Sequence, residues 1–182
     1  AGHWGNDSGA VCEQDGLREV DINLEIATRV KESLTGEGFD VDLLKEFDPR
    51  LNGYQALLLV SIHADSCQYI NDQATGFKIS ASMSTKYPEK ASRLTTCLRV
   101  RYAESTSLPF HPSSVTPDMT SYHAFDEIDP NTIAAIIEIG FMNLDLNFLT
   151  KHPDLVANGV TRGILCYVRN EDLSTESVLE KP

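Results

Sequence analysis

Basic residues are scarce in this chain. Fifteen Lys and Arg stand against 27 Asp and Glu in 182 residues, a formal net charge of -12. A surface so poor in cations repels phosphate backbones, which excludes nucleic acid as a partner. No run of about eighteen apolar residues occurs, so no membrane-spanning helix is expected. Internal repeats and low-complexity tracts are absent, as are the His-Glu-x-x-His and His-x-x-Glu metal signatures. The four cysteines, Cys12, Cys67, Cys97 and Cys166, form no CxxC or other close pair, and spacing does not rank their possible connectivities. What remains is ordinary for one globular domain, with 41% apolar and 23% charged residues.

Chemistry-bearing residues are concentrated in a few segments. The run LLLVSIHAD (residues 57–65) is a hydrophobic strand that delivers His63 at its carboxyl end, where open α/β sheets place their ligand crevice. TIAAIIEIGFMN (residues 132–143) places Glu138 in an apolar run broken by Gly140. A carboxylate there must neutralise, pair or meet a metal. GHWGNDSGA (residues 2–10) is a glycine-rich turn holding His3, and Glu19 follows as an amphipathic helix begins. Taken singly, each is more often a hydrogen-bonded structural residue than a ligand. Together, two imidazoles and one carboxylate supply the donors of a catalytic zinc site with an open position, and a further glutamate supplies a base. Glu13, Asp15 and Asp21 compete with Glu19 on sequence alone, because acids early in a helix are ordinary dipole partners.

In this order the segments GHWGNDSGA, GLREVDINLEIATRV, LLLVSIHADS and AAIIEIGFMN resemble the zinc-dependent N-acetylmuramoyl-L-alanine amidases, over residues 2 to about 168. The resemblance implies Zn2+ held by His3, Glu19 and His63, with Glu138 as the catalytic carboxylate. It also implies a peptidoglycan or muropeptide substrate cleaved between N-acetylmuramic acid and L-alanine. Action would be extracytoplasmic, in periplasm, cell wall or medium. A non-catalytic wall- or partner-binding domain and a zinc peptidase are the alternative readings, and no regulator is identified. Three departures are visible. The hydrophobic strand that relatives carry before the Gly-His pair is missing, which reads as a fragment or processed chain with a frayed, loosely held His3. Residues 40–57 leave room only for a short loop, so a lower cleft wall is expected there. Asp65 stands where asparagine is frequent and is read as a turn or cap side chain.

The expected fold is α/β and three-layered, a mostly parallel or mixed sheet flanked by helices, lacking its first strand. The catalytic domain is placed at residues 1–170, with a tail or linker start at 171–182. Helices are expected over residues 17–34, stopped by Gly36 and Gly38, from Pro88 with Ala91, Leu94, Leu98 and Tyr102 inward, and from Pro153. Strands are expected at 39–44, 57–63, 75–81 and around Glu138. Cys97 and Cys166 read as buried thiols within helices, whereas Cys12 and Cys67 follow ligand-bearing segments and are expected to approach each other. Cys67 as a fourth ligand is disfavoured, since it would close the open position. Residues 104–130 are too long for a plain connector and should border the cleft in part. Their His111 and His123 read as locally hydrogen-bonded, and Asp7, Thr75 and Asn143 as neighbours of the site that also serve their own turns.

Overall fold

The computed structural model describes residues 1–173. The proposed tail falls, from residue 174 on, outside the described residues. In chain order the elements are α1 (Glu19–Gly36), β1 (Leu58–Asp65), β2 (Lys78–Ala81), α2 (Pro88–Thr106), α3 (Pro117–Thr120), α4 (His123–Glu127), β3 (Ile133–Phe141), α5 (Leu146–Lys151) and α6 (Pro153–Val168). The sheet is mixed, in the order β1-β3-β2, with β1 parallel and β2 antiparallel to β3. This bears out the expected α/β class.

The period-2 alternation of the strands separates the two faces of the sheet. Ile133, Ala135, Ile137 and Ile139 of β3, with Ile62 and Ala64 of β1 and Phe77 and Ile79 beside and in β2, join the main core beneath α1, α2 and α6. Ala134 and Ile136 face the other way, into a smaller cluster with Leu44, Leu51, Met119, Ala124, Phe125 and Ile128. Two helical layers of unequal thickness therefore enclose the sheet.

The helices begin and end where sequence indicates. Pro88 and Pro153 occupy first-turn positions of α2 and α6, where a missing N–H costs nothing. α1 ends at Gly36, and Gly38 beyond it adopts φ +90°. α2 buries the expected Ala91, Leu94, Leu98 and Tyr102. α2 and α6 lie so close that a Cβ on Gly163 would stand 2.7 Å from the Leu98 Cα.

That closeness corrects one expectation. Cys97 and Cys166 are fully buried, but they are disulfide-bonded rather than free, with Cα atoms 5.7 Å apart. The face of α6 thinned by Gly159 and Gly163 lets α2 approach until opposing side chains are within bonding reach. The expected approach of Cys12 and Cys67 is also a disulfide, Cα–Cα 5.2 Å.

Residues 39–44 are a second correction, since they form no strand. They stand across an apolar groove of about 540 Å³ from the outer edge of β1, with Phe39, Val41, Leu58 and Val60 among its walls. An alternating pattern without a ladder neighbour does not pair, because strand structure is made between chains and not within one.

Candidate active site

His63 sits one residue before a register irregularity that ends regular β1–β3 pairing, opposite Glu138 in the ladder. Lys78 of β2 is Glu138's partner on the other side. The side chains of His63, Glu138 and Lys78 thus leave the same face of three adjacent strands, opposite the main helical core.

The other two donors come from before β1 in sequence. The N-terminal turn lies against the end of β1, where the Gly2 N–H donates to Ile62 O at 3.0 Å. The Ala1 amine donates to Leu44 O at 2.9 Å and the His3 N–H to Glu46 Oε2 at 2.5 Å. His3 is therefore not frayed, contrary to expectation, because its backbone is tied to two other segments. Two glycines of the turn are required for space. A Cβ on Gly2 would overlap the His63 ring, and one on Gly9, which has φ +60°, would lie 2.5 Å from Glu19 Oε2.

Glu19 opens α1 with a buried carboxylate between the two imidazoles. Oε2 lies 3.3 Å from His3 Nε2 and Oε1 lies 3.3 Å from His63 Nδ1. Ala10 N–H donates to Oε2 at 3.0 Å, and Asn23 Nδ2 and Ala64 N–H donate to Oε1 at 3.0 and 3.3 Å. Burial alone would raise this carboxyl, but the bonds from His3, His63, Ala10 and Asn23 outweigh it and hold the group ionised well below the usual range. The same contact with Glu19 pushes His3 up to about 9, against the opposing effect of burial, and Asp7 adds to the rise. Glu13, Asp15 and Asp21 are exposed and stand outside this arrangement.

One donor atom from each of His3, Glu19 and His63 lies within 4.8 Å of the others, so the group could hold a metal ion. The fit can be tested on distance. Zinc–ligand bonds of about 2.0 to 2.1 Å in a tetrahedron separate neighbouring donors by roughly 3.3 Å, which matches both histidine-to-carboxylate separations of 3.3 Å. The outer ring nitrogens are occupied. His3 Nδ1 lies 2.6 Å from Asp7 Oδ1, and His63 Nε2 lies 3.1 Å from Ser61 Oγ. Such contacts turn the inner nitrogens toward Glu19, the side on which a metal would be held.

Glu138 contrasts with Glu19. It is half-buried, and its Oε2 is enclosed with no hydrogen-bond partner. Burial pushes its pKa up to about 7. His63 and Lys78 oppose the rise, while Asp65 and Glu19 add to it. A carboxyl that holds its proton near neutrality is suited to general acid–base work.

Three polar residues of the site escaped the sequence reading. Lys78, 5% exposed, forms an ion pair with Asp65 and donates to Ser114 O at 3.3 Å. Asp65 accepts from Ser66 N–H at 2.7 Å, the expected turn role, and answers Lys78 as well. Alternation puts Lys78 opposite Phe77 and Ile79, which reads as a solvated face unless the covering loop is known. Glu46 and Tyr122 carry no distinguishing pattern; both come from irregular segments. The 104–130 segment does reach the cleft, with the Tyr122 ring edge-on to His63 at 5.4 Å. His111 bonds Ser114 Oγ at 2.7 Å, a local partner as expected. His123 also meets a local partner, Glu127, at 2.7 Å, but in addition reaches Glu46 at 3.1 Å. Of the proposed helpers, only Asp7 touches a site residue. Thr75 bonds Asp145 at 2.5 Å and Asn143 bonds Cys67 O at 2.9 Å, so both serve turns. The disulfide removes Cys67 as a ligand.

Fold and site together describe an α/β domain in which three donors able to hold one metal ion stand beside a half-buried, proton-retaining carboxylate. The sequence model of the N-acetylmuramoyl-L-alanine amidase family matches residues 1–166, and the chain belongs to that family. Its activity is accordingly hydrolysis of a peptidoglycan amide bond. Among solved structures, the N-acetylmuramoyl-L-alanine amidase of Clostridium difficile 630 superposes with a TM-score of 0.73 at 21% identity, covering 94% of this chain and 95% of that one. The catalytic domain of CwlV, an N-acetylmuramoyl-L-alanine amidase from Bacillus (Paenibacillus) polymyxa var. colistinus, gives 0.70 at 21% identity, over 94% and 96%. The CwlD amidase of Clostridioides difficile, solved in complex with the GerS lipoprotein, gives 0.71 at 19% identity, over 93% and 96%. At these identities the likeness establishes the fold. No curated protein matches this sequence. Among the described residues no helix is long and apolar enough to cross a membrane.

Proposed function

We propose that this chain cleaves the amide between N-acetylmuramic acid and L-alanine, with His3, Glu19 and His63 holding a zinc ion and Glu138 moving the proton. The observation that carries this reading is the convergence of three donors from distant segments within 4.8 Å, on the sheet face from which Glu138 also projects. Nitrogen and oxygen donors in this number suit zinc and leave a position for a small ligand. When bound, zinc supplies Lewis acidity toward the scissile carbonyl and toward a water molecule.

The chain's own residues do the rest. Glu138, with its pKa near 7, is present in both protonation states at neutral pH. It takes a proton from the attacking water and returns it to the departing alanine nitrogen. His63 and Lys78 restrain its rise, so the base form stays accessible. Asp7 and Ser61 hold the outer nitrogens of the two histidines and so fix which ring atom faces the site.

Two disulfides fit an oxidising compartment, which supports action outside the cytoplasm. The net charge of -12 argues against retention on polyanionic wall polymers. Glycan strands with short peptides remain compatible, since they carry little charge of their own.

The test combines elemental analysis of purified protein with digestion of purified sacculi. Zinc near one equivalent and stem peptides released with free N-terminal L-alanine are expected, and both are expected to be lost in His63→Ala. Zinc without released peptide would favour a binding domain. Cleavage within the stem peptide would favour a peptidase.

A further inference from the structure

Phe47 stands 58% exposed. A single apolar side chain on the surface is ordinary, but this ring is built into its surroundings. It stacks on His123, with centroids 4.2 Å apart and 28° between the planes. His123 is held at both ring nitrogens, Nδ1 lying 2.7 Å from Glu127 Oε1 and Nε2 3.1 Å from Glu46 Oε1. It also meets the Tyr122 ring at 4.5 Å, and Tyr122 is edge-on to His63 at 5.4 Å. Successive ring contacts thus lead from a donor of the site outward to a phenyl face in solvent.

The segment that carries Phe47 is tied to the donor set as well. The Glu46 N–H donates to Trp4 O at 3.0 Å, and the Glu46 carboxylate accepts the His3 N–H at 2.5 Å. Glu46 is buried, and Lys45 and Phe47 on either side of it are exposed. The Lys45 stem passes over Gly5, where a Cβ would lie 2.8 Å from its Cδ, and its ammonium is 5.7 Å from the centre of the half-buried Trp4 ring. Aromatic faces therefore rim the site on the side of the N-terminal turn.

The chemistry of such a rim selects its ligand. An aromatic face carries negative partial charge and offers no hydrogen-bond partner. It suits a ligand that is flat, apolar and weakly positive on one side. The C–H face of a pyranose has these properties, with hydroxyl and acetamido groups left at the ring edge for water and Lys45. A peptide backbone lacks them, because its N–H and C=O groups need partners that a phenyl face cannot supply. Nucleic-acid bases would also stack, but the net charge of -12 repels their phosphates. A platform fixed before binding costs little to order, and the two bonds to His123 provide that fixity.

We propose that Phe47, stacked on His123, is the saccharide-binding platform of the site and takes the C–H face of a glycan ring. The proposal rests on the amidase reading for the identity of that glycan, but the platform can be tested without cleavage. The probe is a neutral N-acetylglucosamine tetrasaccharide, which has the pyranose faces and acetamido groups of wall glycan and no peptide. Ring-proton NMR shifts of Phe47 and His123 are followed as it is added, and in parallel as free stem peptide beginning with L-alanine is added.

Saturable shifts with the tetrasaccharide are expected. Its affinity should be weaker by about 3- to 10-fold in Phe47→Leu, which keeps apolar bulk without an aromatic face, and retained in Phe47→Tyr. On sacculi, Phe47→Leu should raise KM by a similar factor with kcat little changed, the mark of binding lost equally from ground and transition states. Unshifted rings in wild type, or equal tetrasaccharide affinity in Phe47→Leu, would overturn the proposal. Ring shifts produced by the stem peptide and not by the tetrasaccharide would assign the platform to peptide and overturn it equally. Thermal melts control for folding, and if Phe47→Leu does not fold, the wild-type shifts decide. If sacculi are not cleaved, the amidase reading fails, while the tetrasaccharide titration still decides whether the platform binds sugar.

Discussion

The two faces of β3 differ by one residue in register and by everything in chemistry. Ile137 and Ile139 are fully buried among apolar side chains of the three long helices, where each gains from contact alone. Glu138 between them is only half-buried, and its enclosed Oε2 has no partner. The same contrast runs across the sheet. Phe77 and Ile79 lie in the main core while Lys78 meets Asp65, and Ile62 and Ala64 lie there while His63 meets Glu19 and Ser61. One face stabilises the domain. The other is left with polar groups whose burial costs free energy, and such costs persist at sites where they serve function.

The largest expected effect isolates the front face. Glu138→Gln keeps shape and removes both the charge and the transferable proton, so turnover on muropeptides should fall by about 10²- to 10⁴-fold. Zinc affinity should remain within a few-fold of wild type, because the amide replaces a group outside the donor set. Measured side by side, retained turnover would remove Glu138 from the mechanism, and lost zinc would place it among the ligands.

A second comparison sets one disulfide against the other. Cys97–Cys166 joins α2 to α6 behind the sheet, whereas Cys12–Cys67 joins the turn after His3 to the loop after β1. With their partners 69 and 55 positions apart in sequence, chain-entropy reasoning gives each roughly 4 kcal/mol. Paired Ala variants at either bridge should therefore melt roughly 10 °C lower. Only the Cys12 and Cys67 pair should also weaken zinc binding, by several-fold, because Glu19 and His63 lie in the loop that it closes and Ala10, which bonds Glu19, stands two residues before it. Equal zinc affinity in both double variants would show that the turn is fixed without its bridge.

How much of this was legible in the sequence depends on whether a residue's role is local or assembled. α2 and α6 could be read because Pro88 and Pro153 mark their starts and the apolar spacing follows a helical period. His3, Glu19, His63 and Glu138 could be read as candidates because each interrupts a glycine-rich or apolar context, although choosing Glu19 over Asp15 or Asp21 needed the family resemblance. Residues 39–44 were misread because alternation reports a face to bury and not a neighbour to pair with. Cys97 and Cys166 were misread because helix contact at Gly159 and Gly163 is a tertiary fact. Glu46 and Tyr122 were invisible, since no local pattern marks a carboxylate or phenol that matters only through what folds against it.

The smallest expected effect concerns stability without metal and bears on the same one-residue contrast. Glu138 is raised in the folded state from an ordinary value of 4.5 to about 7, so between those values the native protein binds more protons than the unfolded chain. The stabilising contribution is therefore complete below about pH 4.5 and is lost as pH rises through 7, amounting to roughly 3 kcal/mol at most. Glu138→Gln cannot lose a proton. In denaturant titrations of metal-free protein it should match wild type near pH 5 and exceed it by up to that amount near pH 8. Parallel pH dependences for the two proteins would mean that Glu138 ionises freely in the fold, and the buried front face would then differ from the back in residue type alone.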